Sequence, residues 1–152
     1  MNTRRILLFV CAAIVFAPGG MAAQRPSAST GEMVKSYLEV QAALASDKFA
    51  DVAAPAKALA EKATALGQAG ADVAKAAAAV GAAADIAAAR EAFGPLSNAM
   101  IARVKADGSA DAALRLGYCP MVKRSWLQRE GQVRNPYYGA AMPTCGELKE
   151  VR

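Results

Sequence analysis

Residues 85–108, DIAAAREAFGPLSNAMIARVKADG, decide how the rest of the chain is read. Ile86, Phe93, Leu96, Met100 and Val104 recur at intervals of seven, three and four, the spacing that lines side chains along one face of an α-helix. The helix is expected to begin near Asp85 and to stop at Asp107-Gly108. Gly94-Pro95 in its middle is expected to bend it or divide it in two, because proline lacks an N–H and its ring crowds the preceding turn. Such a stripe is buried best against other helices, so this stretch makes the chain a helical bundle or nothing compact.

The upstream sequence supplies the partners. Thr30 reads as an N-cap ahead of Met33, Tyr37, Val40 and Leu44, again at helical spacing. A second helix follows Ser46-Asp47, with Val52, Ala56, Leu59, Ala63 and Leu66 on one face, Pro55 in its first turn or at a kink, and Gly67 and Gly70 closing it. Asp72 to Val80 is a third, alanine-rich helix with high propensity and little bulk. The expected fold class is therefore mainly α: a small antiparallel helical bundle. Its core would rest on Tyr37, Leu38, Leu44, Phe49, Leu59, Leu66, Ile86, Phe93, Leu96, Met100 and Val104. Alanines let helices approach closely but bury little area each, so that core is thin.

The N-terminus bears on compartment. Arg4 and Arg5 precede an apolar run from Ile6 to Ala17, broken by Pro18-Gly19-Gly20 and followed by Ala22 and Ala23. This reads as a Sec-type signal peptide over residues 1–23, too short in its apolar part to span a bilayer. Lipidation at Cys11 is disfavoured by bulky Leu8-Phe9-Val10 ahead of it and by the apolar run continuing past it. Residues 24–31 read as a flexible N-terminus and 32–152 as one helical domain. The expectation is export to the periplasm with no stable membrane anchor after cleavage. The formal charge of +5 loses only Arg4 and Arg5, which is not the footprint of a nucleic-acid binder. From Arg115 onward seven Lys/Arg face three Glu, which reads as a solvated basic rim or, as the alternative, a docking face for an acidic partner.

After Gly108 the helical period ends. Leu114, Leu116 and Tyr118 alternate on one face of a short extended segment, and residues 114–152 form a compact appendage. It holds the two cysteines that outlast signal cleavage, Cys119 and Cys145, each with a methionine nearby, Met121 and Met142. Pro120 pushes Cys119 into the extended region, where residues two apart point the same way, so Cys119 and Met121 are expected to face one target. Met142-Pro143-Thr144-Cys145 reads as a β-turn. Asn135-Pro136 initiates a turn that brings the two ends together, with Gly139 taking positive φ. Two readings of the sulfurs stand side by side. Thiolates and thioethers are soft donors suited to Cu(I), and by the same argument to Ag(I). In an oxidising compartment, two cysteines of a thinly packed domain instead pair as a disulfide, with the methionines filling gaps. The compartment argument favours the disulfide. Trp126-Leu127 and Tyr137-Tyr138 read as the apolar plug that seats the appendage, Trp126 doubling as a shield for a sulfur site in the metal reading.

Tyr118-Cys119-Pro120-Met121, Trp126-Leu127, Asn135 to Gly139, Met142 and Cys145-Gly146, preceded by Phe93-x-x-Leu96-Ser97, together resemble an uncharacterised bacterial periplasmic domain family. That domain of unknown function occurs alone after a signal peptide or fused to periplasmic adaptor subunits of copper/silver efflux systems. The resemblance implies a helical exported domain associated with copper handling. A related heavy-metal motif reads Cys-Pro-Met-His; Val122 stands where that histidine would be, and the chain contains no histidine at all.

With the resemblance added, the reading is a periplasmic protein that binds or buffers Cu(I) for efflux through Cys119, Met121, Met142 and Cys145. Tyr118, Trp126, Asn135 and Tyr137 support that cluster, and the partner is a periplasmic metal-efflux adaptor or another exported protein. The alternative is a helical interaction module stapled by a Cys119–Cys145 disulfide, without metal. An enzyme is not expected, since the chain lacks histidine, Cys-x-x-Cys and any nucleophile paired with a base.

Overall fold

The computed structural model describes residues 29–108 and 111–151. The expected signal peptide, residues 1–23, and residues 24–28 after it lie outside the described residues.

Among the described residues, four α-helices are followed by a three-stranded antiparallel sheet. The helices are α1 (Thr30–Ala45), α2 (Ala53–Ala65), α3 (Ala71–Gly81) and α4 (Ile86–Asp107). The strands are β1 (Leu114–Cys119), β2 (Arg124–Arg129) and β3 (Glu147–Glu150), in the order β2-β1-β3. Helix α1 packs on α2 and α4, α3 packs on α2 and α4, and β2 lies across α4 and α1. The expected bundle with a compact C-terminal appendage is thus present, and the appendage is a sheet. No helix among the described residues is long and apolar enough to cross a membrane.

The helix starts follow from local chemistry. Ser29, not Thr30, caps α1: its backbone is extended and its hydroxyl accepts from the N–H of Glu32. Asp85 caps α4 by accepting from the N–H of Ala88 at 2.7 Å. Gly94-Pro95 does not divide α4, which runs unbroken over 22 residues. Pro95 and Glu91, whose carbonyl loses its partner to the proline, both lie on the solvent side. Phe93, Leu96 and Met100, all fully buried, hold the two halves in register. The expected core is right at its centre and wrong at its edge, since Leu38, Phe49, Leu66 and Ile86 are only partly buried. Their places are taken by Met33, Val52, Val73 and Val80, and by Leu114, Trp126 and Leu127 from the sheet.

A ladder of rings joins the two layers. Tyr37 stacks on Phe93 at 5.3 Å, Phe93 meets Tyr137 at 5.7 Å, and Tyr137 meets the edge of Trp126 at 6.2 Å. Buried Tyr37 fixes β2 by a hydrogen bond as well, its hydroxyl accepting from the N–H of Leu127 at 3.1 Å while paired with Ser97. Burial pushes the Tyr37 phenol up, so it stays neutral.

The expected face of β1 is not the buried one. Leu114 is buried, but Leu116 is half-buried and Tyr118 is 37% exposed. The other face, with Gly117 and Cys119, turns inward because Trp126 sits directly opposite Gly117 and lays its indole over it. A Cβ at residue 117 would come within 2.7 Å of Trp126 Cδ2 and closer still to Cε2, so only glycine fits there.

Candidate functional site

Cys119 ends β1 and is completely buried. The chain then turns sharply: residues 120–123 form the hairpin connection to β2, with Lys123 at φ +53°. This turn wraps around the Cys119 sulfur, which receives hydrogen bonds from the N–H groups of Val122 and Met121. The opposite side is built by the return segment. Asn135 is fully buried, and its side-chain oxygen accepts from the N–H of Tyr137 at 2.8 Å. Its amide nitrogen donates to the Cys145 carbonyl at 2.7 Å, and its backbone N–H reaches the Pro143 carbonyl at 2.8 Å. The Met142–Cys145 turn closes as expected, with the N–H of Cys145 on the Met142 carbonyl at 3.3 Å. Gly146, at φ +137°, lets the chain pass under Tyr118 and Trp126 into β3, which pairs with β1.

These elements bring the Cys119 and Cys145 sulfurs to 3.3 Å, both as free thiols in hydrogen-bond contact. Their environments differ. Burial pushes the Cys119 thiol up, but the hydrogen bonds from Val122, Cys145, Met121 and Asn135 outweigh it, and the net direction is down. Cys145 is half-buried and moves up, because its S–H is engaged by Cys119, because burial disfavours its thiolate, and because a charge on Cys119 repels a second one. Of the two, Cys119 is therefore the thiol that ionises first, and its charge then holds the proton on Cys145.

The copper reading does not survive this geometry. Cys119 and Met121 were expected to point the same way along an extended chain, but the strand stops at Cys119. The turn sends Met121 outward, where it is 66% exposed. Among the described residues, no group of three or more His, Cys, Asp or Glu side chains comes together that would hold a metal ion. The Cu(I) site at Cys119, Met121, Met142 and Cys145 is accordingly corrected to a thiol pair, Met142 being half-buried at the foot of the turn. Copper as cofactor and a role in heavy-metal efflux fall with it. Trp126 and Tyr137 are buried packing residues, and the hydroxyl of Tyr137 is tied to the Ser125 carbonyl at 2.8 Å.

The basic rim is also changed by what it touches. Arg115 pairs with Glu130, Arg124 with Glu91, Arg129 with Asp111 and Lys149 with Glu147. Most of its charge is balanced within the fold. Gly94 leaves the space in α4 over which Arg124 passes.

Three polar residues that the sequence reading passed over hold the appendage in place. Arg90 donates to the carbonyls of Leu44 and Pro136, each at 3.0 Å, and pairs with Asp47. Gln41 donates to the Arg134 carbonyl at 2.7 Å. Buried Gln128 accepts from Trp126 Nε1 and from the N–H of Arg134, both at 3.0 Å, and donates to the Gln132 carbonyl. No local motif marks them, because their partners are backbone groups 46 or 93 residues away for Arg90 and Gln41. A cleft of about 550 Å³ runs between Leu38, Gln41 and Ala42 of α1 and the loop from Gln128 to Arg134. Gln41 and Gln128 in its lining are already hydrogen-bonded, and Pro143 and Thr144, just ahead of Cys145, line it as well.

A four-helix bundle capped by a sheet, with a thiol pair inside the cap, is the class of protein that the fold and site define. The chain belongs to the family described as Protein of unknown function (DUF3347), which matches residues 33–112. The match covers the helical part from within α1 and ends before β1, so the thiol pair lies beyond it. No curated protein and no solved structure matches the chain.

Proposed function

We propose that this chain is an exported, non-enzymatic interaction module, sent to the periplasm by the segment at residues 1–23 and locked in its C-terminal layer by a Cys119–Cys145 disulfide. The observation that carries the reading is the thiol pair itself, two sulfurs 3.3 Å apart at the seam between the β1–β2 hairpin and the return segment. The loop it closes contains Trp126, Leu127 and Tyr137, the side chains that seat the sheet on the bundle. Closing a loop of about 27 residues stabilises by roughly 3.5 kcal/mol in the chain-entropy view. For about 120 ordered residues that corresponds to about 14 °C in melting temperature. Thermal melting of the exported protein with and without reductant tests this, with a drop near that size expected. Melting that ignores reductant sinks the staple.

The partner is another exported protein. The resemblance makes a periplasmic adaptor subunit the first candidate, as a docking partner and not as a recipient of metal. With most of the rim charge balanced internally, the docking face is the apolar lip of Tyr118, Pro120 and Met121, where two large apolar side chains stand exposed. A photo-crosslinker at Met121 should give one discrete product with an exported adaptor, and one at exposed Ala79 on α3 should not. Equal products from both positions would remove the lip as a docking face.

A further inference from the structure

We infer that the thiol pair closes in a fixed order: an incoming disulfide reacts first at Cys145, and Cys119 then resolves the mixed disulfide from inside the fold. The inference rests on the staple reading and adds which sulfur meets the oxidant.

The two cysteines differ in access. Cys119 is fully buried, walled by its own hairpin turn and by Asn135, and a disulfide cannot approach it without that turn opening. Cys145 is half-buried on the return segment. It adjoins Gly146, which lines an opening of about 360 Å³ with Tyr118, Pro120 and Glu147. Reactivity runs the other way. The N–H groups of Val122 and Met121 and the Asn135 amide make Cys119 the more readily ionised of the two, while Cys145 keeps its proton longer. A thiol that is easily reached and a more acidic one that is not, 3.3 Å apart, suit opposite halves of one exchange reaction.

The steps balance with an organic disulfide, RSSR, as oxidant. Cys145 loses its proton to solvent and attacks one sulfur; the S–S bond of RSSR breaks, RS⁻ leaves, and a Cys145–S–SR bond forms. Cys119, its proton likewise lost to solvent, then attacks the Cys145 sulfur, that mixed S–S bond breaks, a second RS⁻ leaves, and the Cys119–Cys145 bond forms. Two electrons pass from the pair to the disulfide. The more readily ionised thiol lies 3.3 Å from the sulfur it attacks, so the mixed disulfide is short-lived.

The test uses the reduced full chain and 5,5′-dithiobis(2-nitrobenzoate) as RSSR. Wild-type protein is expected to release two thionitrobenzoate ions per chain and to retain none. Samples acid-quenched early should carry the adduct on the Cys145 peptide. Cys119→Ser should release one ion and keep the other on Cys145, and Cys145→Ser should react at least about tenfold more slowly, because its thiol waits on local opening. An early adduct on Cys119, or Cys145→Ser reacting as fast as Cys119→Ser, overturns the order while leaving the staple intact. A wild-type chain that keeps two adducts and never closes overturns both. The early quench needs no variant, so a Cys119→Ser protein that fails to fold does not spare the inference.

Discussion

Asn135→Ala tests whether the thiol pair is placed by the fold or merely lies near it. The side chain bridges the Tyr137 N–H and the Cys145 carbonyl and is fully buried. Alanine removes both bonds and leaves both backbone groups without those partners. Each stranded group costs about 1–3 kcal/mol, because its desolvation is no longer offset. Tyr137 is nearly completely buried, so its N–H should lie toward the upper end, whereas half-buried Cys145 is easier to hydrate. The sum is about 3 kcal/mol, or roughly 12 °C in melting temperature for a domain of this size. Urea unfolding of the reduced protein measures it directly, with an unchanged m-value expected. The same variant removes one hydrogen bond that lowers the Cys119 thiol, so the thiolate absorbance of the reduced pair should titrate at higher pH than in the wild type. Asn135→Asp keeps the acceptor for Tyr137 but faces the Cys145 carbonyl and the thiolate with negative charge, and should raise the Cys119 thiol further. A stability loss below about 0.5 kcal/mol with an unmoved thiol titration would refute the argument that Asn135 builds the site.

Other consequences follow from the same contacts. Gly117→Ala drives a methyl into the buried Trp126 indole and should cost about 1–3 kcal/mol, with altered tryptophan fluorescence as the local readout. Tyr37→Phe leaves the Leu127 N–H without its acceptor and should cost about 1–3 kcal/mol by chemical denaturation, more than a surface Tyr→Phe change. The Ala140 N–H and the Arg90 side chain hold the Asp47 carboxyl below the usual range. Because its folded pKa is depressed, its contribution is present above the unfolded value near about 3.9 and is lost as pH falls through the folded one. Asp47→Asn should therefore lower the melting temperature at neutral pH and change it little at acid pH, where the wild type has lost the same contribution, so the acid limb of the profile flattens. An acid limb identical to the wild type contradicts that role.

The helical half was legible because its information is local. Periodicity placed four helices, and the cap expected at Thr30 missed the true one, Ser29, by one residue that only backbone geometry separates. Pro95 misled because its cost depends on which side of the helix it faces, and it faces solvent. The sheet half was legible as turns and not as faces. Alternation of Leu114, Leu116 and Tyr118 looked like a buried row, yet glycine at 117 was the stronger signal, because it marks where the indole of another strand must lie. Cys119 and Cys145 were expected to meet across the return turn, and their sulfurs lie 3.3 Å apart there. Met121 was lost by a single step: the rule that residues two apart share a face holds within a strand, and β1 ends before that residue. Arg90, Gln41 and Gln128 carried no sequence signature, since what selects them is a distant backbone carbonyl or an indole N–H.

The account turns on the state of two sulfurs in the exported protein. Alkylating that protein without reductant, digesting it and mapping the cysteine peptides by mass spectrometry reads that state directly. The account predicts one disulfide-linked peptide pair joining Cys119 to Cys145, released only by reductant. Recovery of both cysteines as alkylated, unlinked peptides from freshly exported protein would contradict it.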